Sequence, residues 1–166
     1  MNPRNVACAL LFLGCASTAT PAPSVRDEHP PVSGDAAITE AWFAEARHHA
    51  WECDAQAHES IIPGHKNVRT CSNDVARNSR GSVMTVGAAN VIEQTRLGGI
   101  APWRYDFSVK IAAGEGRATW FFGSVVEGKL AQASRGDVPP GYNCAACHES
   151  TVPTAIARDY VFRTIP

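Results

Sequence analysis

Hydrophobic and polar positions divide the chain into three zones. The first is an apolar run, Val6–Leu13, placed after Arg4 and before Gly14-Cys15. The second, residues 16–34, is mostly Ala, Ser, Thr and Pro without apolar periodicity. The third opens at Asp35, where Ile38, Trp42, Phe43 and Ala46 recur at helical spacing. This predicts a helix over 36–49, capped by Asp35, basic at its end and packed through that stripe. Past a turn at Pro63-Gly64 the pattern shortens. Val68–Ser72, Val83–Val86, Trp103–Ile111 and Ala118–Phe122 are β-branched or aromatic, and the 103–111 run alternates almost perfectly. Glycines at 81, 87, 98, 99, 114, 116, 123 and 128 exclude long helices there. The expected class is α+β, mainly antiparallel sheet with an N-terminal helix and a short C-terminal helix.

The first two zones read as a front end. Val6–Leu13 covers only about 12 Å as a helix, too short to span a hydrocarbon core of about 30 Å, so residues 1–14 read as an export signal. Leu11-Phe12-Leu13-Gly14-Cys15 is similar to a bacterial lipobox, although Phe12 and Leu13 depart from the preferred residues. Acylation of Cys15 is one expectation; cleavage further on, after Ser17-Thr18-Ala19, is the other. Either outcome places the mature chain in the periplasm or cell envelope, touching a membrane only through a lipid. Residues 15–34, with prolines at 21, 23, 30 and 31, read as a tether with roughly 60 Å of reach. The domain is then 35–166.

Composition narrows this further. A chain of 166 residues, 45% hydrophobic and of net charge −1, is one globular domain with no basic block for a nucleic-acid backbone. Its six cysteines are the unusual count. Cys8 leaves with the signal, and Cys15 is the lipid candidate. Cys144-Ala145-Ala146-Cys147-His148 reads as c-type haem attachment: two thiols spaced to add to the haem vinyls, with the adjacent imidazole as proximal iron ligand. The competing readings are a zinc site, a redox dithiol and a plain disulfide within the motif. Cys53 and Cys71 are left over, and outside the cytoplasm they are expected to pair, contributing on the order of 3 kcal/mol. His48, His49, His58 and His65 lie around that pair in sequence and read as surface residues or as ligands of a metal or a second haem.

No Met follows His148, unlike the small electron-transfer cytochromes c, and the Gly-rich strands do not suit a four-helix cytochrome c′. The ensemble of His65–Thr70, Asn73–Ala76, Gly81–Val86, Trp120–Phe122, the attachment motif, Asp159–Phe162 and Ile165-Pro166 resembles the superfamily of P-460 cytochromes and cytochromes c′-β. The resemblance implies a mainly antiparallel β fold, one covalent haem c with five-coordinate iron, and a homodimer. It also implies a small gas ligand such as nitric oxide, or electron transfer to an unknown redox partner. The hydroxylamine-oxidising members carry a haem-linked Lys at the end of the second strand. Here Val86-Gly87 stands at that point and no Lys occurs between Lys66 and Lys110, so oxidation of hydroxylamine is the alternative and the cytochromes c′-β are the nearer comparison.

Pocket candidates follow from that comparison. If Val86 faces the haem, strand alternation puts Met84 on the same side, as core filling or as a thioether ligand. Phe121 or Phe122 is expected to cap the iron or to be core. Arg69 matches a strand Arg that donates to a bound ligand or propionate, with a solvated strand edge as its other reading.

Overall fold

The computed structural model describes residues 24–60, 65, 67–150, 157–158 and 161–162. Asp35 caps helix α1 (Ala36–Ala44), its carboxylate accepting the Ile38 N–H at 3.1 Å. The helix stops sooner than the pattern predicts, because Ala46 takes a left-handed conformation (φ +50°) and the chain enters a 3₁₀ turn, Arg47–Ala50. The basic residues therefore lie in that turn and not at the end of α1. Trp42 and Phe43 are buried as expected, but Ile38 is 57% exposed and Thr39 is buried in its place.

Seven strands among the described residues form one antiparallel sheet. Its long strands are β3 (Asn67–Ser72), β4 (Ala89–Thr95), β5 (Pro102–Lys110), β6 (Trp120–Val126) and β7 (Lys129–Arg135), neighbours in that order. Two short strands, β1 (Glu52–Cys53) and β2 (His58–Glu59), pair with β3 at the edge. Helix α2 (Asp74–Asn78) lies between β3 and β4; α3 (Gly141–Ser150) follows β7. A separate pair, β8 (Ala157–Arg158) and β9 (Val161–Phe162), completes the described chain.

Alternation splits the sheet into two covered faces. On the first, Cys71, Val91, Phe107, Val109, Phe121 and Val125 pack under Trp42, Phe43 and Trp51. Gly123 is required here, since a Cβ would lie 2.3 Å from the Phe107 ring. On the second, Trp120 and Phe122 pack with Ala76, Met84, Ala88 and Ala145 of α3. Both faces being covered explains why the later half of β5 is buried on both phases, where a half-buried strand was expected.

Three expectations change. Val83–Val86 is not a strand but a loop and turn, followed by Gly87 at φ +89°; the second long strand begins only at Ala89. Met84 and Val86 therefore do not share a face: Met84 is buried and Val86 is 49% exposed. Residues 24–34 are not all free tether. Fully buried Asn73 donates to the Glu28 carbonyl at 3.1 Å, Asp74 N–H bonds the Arg26 carbonyl, and Pro30 is fully buried. Residues 1–23, which include the proposed signal, Cys15 and the start of the tether, lie outside the described residues, as do Pro63-Gly64. No helix among the described residues is long and apolar enough to cross a membrane.

Candidate functional site

The attachment motif sits on α3, and its position is set from both ends. At the N-terminus Gly141 donates its N–H to Ser134 Oγ at 2.7 Å, and a Cβ there would lie 2.5 Å from the Arg135 carbonyl oxygen, so glycine permits the close approach to β7. Further along, Arg117 lies over the Tyr142 ring at 4.6 Å and pairs with Glu149. Helical spacing puts Cys144, Cys147 and His148 on one face at i, i+3 and i+4. Ala145 beside them is fully buried in the second core.

That face of α3 meets the second face of the sheet. Cys144 packs against the cluster holding Met84, Trp120 and Phe122. Gln132 of β7 reaches Cys144 Sγ at 3.7 Å. The His148 ring meets Phe122 edge-on, centroids 5.6 Å apart, and approaches His65 at 6.4 Å. Next to this apolar wall is a buried polar group. Asp106 accepts from Arg104 Nε at 2.9 Å, from Ser124 and from Gln94, while His65 Nδ1 lies 3.3 Å from its carboxylate. Burial pushes the Asp106 carboxyl up, but the contacts with His65, Arg104 and Ser124 outweigh it and hold the acid at about 2. Asn90, on the same face, leaves a buried Nδ2 with no hydrogen-bond partner among the described residues.

Cys144 and Cys147 are both thiols, not joined to each other. Burial, then the nearby Asp106 carboxylate, pushes the Cys144 thiol up. A redox dithiol needs the opposite, a thiolate stabilised at neutral pH. A zinc site fits no better, since no metal-ligand group of three among the described residues contains either cysteine. Two thiols one helical turn apart, an imidazole on the same stripe and an aromatic wall beside them are residues of the kind that hold a covalent haem.

The other predicted residues divide between the two faces. Cys53 and Cys71 are directly opposite each other across β1 and β3 and are joined in a disulfide. Phe122 belongs to the attachment side, whereas Phe121 belongs to the first core. Arg69 is also on the first face: it donates from Nε to the Asp54 carbonyl at 2.9 Å and pairs with Glu93 at 3.2 Å, so it is no pocket residue for α3. Val86, in its exposed turn, is not one either. Met84 is on the attachment side, within the apolar cluster. The surface reading of the histidines fails at His48, which is fully buried, and at His65; it holds for His58, 52% exposed at its side chain. Nothing in the sequence alone marks His65, Asp106 and Asn90 as pocket residues. The available signal was the polar phase Arg104-Asp106-Ser108 in the strand, which looks solvent-facing until α3 covers it.

Gly81–Val86, which the resemblance takes for the second strand, is loop and turn, and the next strand, β4, Ala-Asn-Val-Ile-Glu-Gln-Thr, contains no lysine. Comparison with family models, curated proteins and solved structures finds no match for the chain.

Proposed function

We propose that the chain is an exported c-type monohaem cytochrome of the P-460 and c′-β kind, holding one haem through Cys144, Cys147 and His148. Its task is to bind a small gas such as nitric oxide, to pass electrons to a redox partner, or both. One observation carries the reading: the two thiols and His148 share a face of α3, and beside that face stand an aromatic wall and a buried polar group. When bound, the haem supplies a redox-active iron with a position for a diatomic ligand. Cys144 and Cys147 would anchor it, His148 would ligate its iron, and Trp120, Phe122 and Met84 would keep water from that side. The export signal and a lipid at Cys15 hold the domain at the cell envelope, and a homodimer is the assembly the resemblance suggests.

A second reading, oxidation of hydroxylamine or a related nitrogen compound, is favoured by one feature. The His65 imidazole, 3.3 Å from the Asp106 carboxylate, lies 6.4 Å ring to ring from His148 and offers polar groups beside the attachment face. The absence of a lysine between Lys66 and Lys110 weighs against the cross-linked form of that chemistry.

The test is to produce the chain with haem-c maturation machinery and record ferric, ferrous and nitric-oxide-treated spectra. A high-spin ferrous haem that takes up nitric oxide is the expected result. A low-spin ferrous spectrum that nitric oxide leaves unchanged overturns the gas-binding role, and steady turnover of hydroxylamine with an electron acceptor selects the second reading.

A further inference from the structure

On the sheet face away from α3, two imidazoles converge on one carboxylate oxygen. His48 Nε2 lies 2.9 Å and His49 Nε2 2.8 Å from Glu93 Oε1, and the three ligand atoms all lie within 4.8 Å of one another. We propose that His48, His49 and Glu93 form a second metal site, taking one divalent first-row transition ion. It is independent of the haem.

The donor set is the first argument. Two neutral imidazoles and one carboxylate, with a position left open, suit zinc, copper or iron and not calcium or magnesium, which prefer all-oxygen sites. Spacing is the second. Ligand atoms about 2.0–2.1 Å from a tetrahedral ion stand about 3.3 Å apart. The two hydrogen-bonded pairs, at 2.9 and 2.8 Å, are within about half an ångström of that, and the two imidazole nitrogens lie within 4.8 Å of each other.

The surroundings supply the support that metal sites need. The other carboxylate oxygen of Glu93 is held by Arg69 at 3.2 Å, which aims Oε1 at the imidazoles. Arg69 is itself fixed to the Asp54 carbonyl, next to the Cys53–Cys71 disulfide. The His48 ring is fully buried, stacked on Trp42 with centroids 5.8 Å apart and edge-on to Tyr105 at 5.4 Å. Its Nδ1 has no hydrogen-bond partner among the described residues. In the hydrogen bond to Glu93 the ring proton is on Nε2, and coordination through Nε2 moves it to Nδ1. The His49 side chain, 51% exposed, leaves one side open for entry of the ion.

The full exported chain, with any unreacted Cys144 or Cys147 thiol first alkylated, is titrated with Zn²⁺ by calorimetry. One saturable equivalent is expected. His49→Ala and His49→Gln, the latter able to keep a hydrogen bond to Glu93, are each expected to bind at least tenfold more weakly, and His58→Ala to bind as the parent does. No saturable binding by the parent, or binding that both His49 variants leave unchanged, overturns the site.

Discussion

Phe122 meets the imidazole of His148 edge-on, with ring centroids 5.6 Å apart and planes at 76°. Its neighbour in sequence, Phe121, points through the sheet to the opposite core, where it stacks with Phe107. Two adjacent aromatic residues therefore serve different functions. Each is buried, so Phe122→Ala and Phe121→Ala are each expected to lower stability by about 3–5 kcal/mol in denaturant unfolding. Only Phe122→Ala is expected to alter the haem spectrum and the rate of nitric-oxide uptake. Equal spectral effects from both would remove Phe122 from the pocket.

Asp106 ties the pocket to pH. Its folded carboxyl titrates at about 2, against an ordinary value of 3.8. A depressed folded value contributes stability that is fully present above the unfolded value and lost as pH falls from about 4 through about 2. The difference corresponds to about 2 kcal/mol. Unfolding free energies measured between pH 6 and pH 2 should show this loss in the parent and a smaller one in Asp106→Asn.

The disulfide is the third test. Cys53 and Cys71 close a loop with a sequence separation of 18 at the edge of the sheet. Cys53→Ser/Cys71→Ser is expected to lower the unfolding free energy by about 3 kcal/mol while leaving the haem spectrum unchanged, since the bridge lies on the face away from α3. A spectral change would mean that the two faces are coupled.

Legibility in the sequence followed how each residue is covered. β5 was readable because its sequence, Trp-Arg-Tyr-Asp-Phe-Ser-Val-Lys, alternates along its length, and the attachment motif because its spacing is chemical. β4 was hidden: Glu93 and Gln94 are both buried, so neither phase of the strand reads as apolar. β7, Lys-Leu-Ala-Gln-Ala-Ser-Arg, has weak strand propensity and depends on β6 for pairing. Its signal was the turn Glu127-Gly128, where both residues take positive φ, as a two-residue hairpin with matching twist requires. Val83–Val86 misled in the other direction. The residues suit a strand, but Ser79 Oγ accepts the Thr85 N–H and Asn73 Nδ2 donates to the Gly87 carbonyl, holding the segment as a loop. Arg69 misled for a third reason: a match in sequence gives its strand but not its face, and the face is decided by its pairing with Glu93.

The most direct measurement is the mass of the exported, denatured protein after co-expression with haem-c maturation machinery, compared with Cys144→Ala/Cys147→Ala. The prediction is one haem retained covalently through denaturation by the parent chain and none by the variant. A parent chain that matures without covalent haem, or a variant that retains it, would contradict the account.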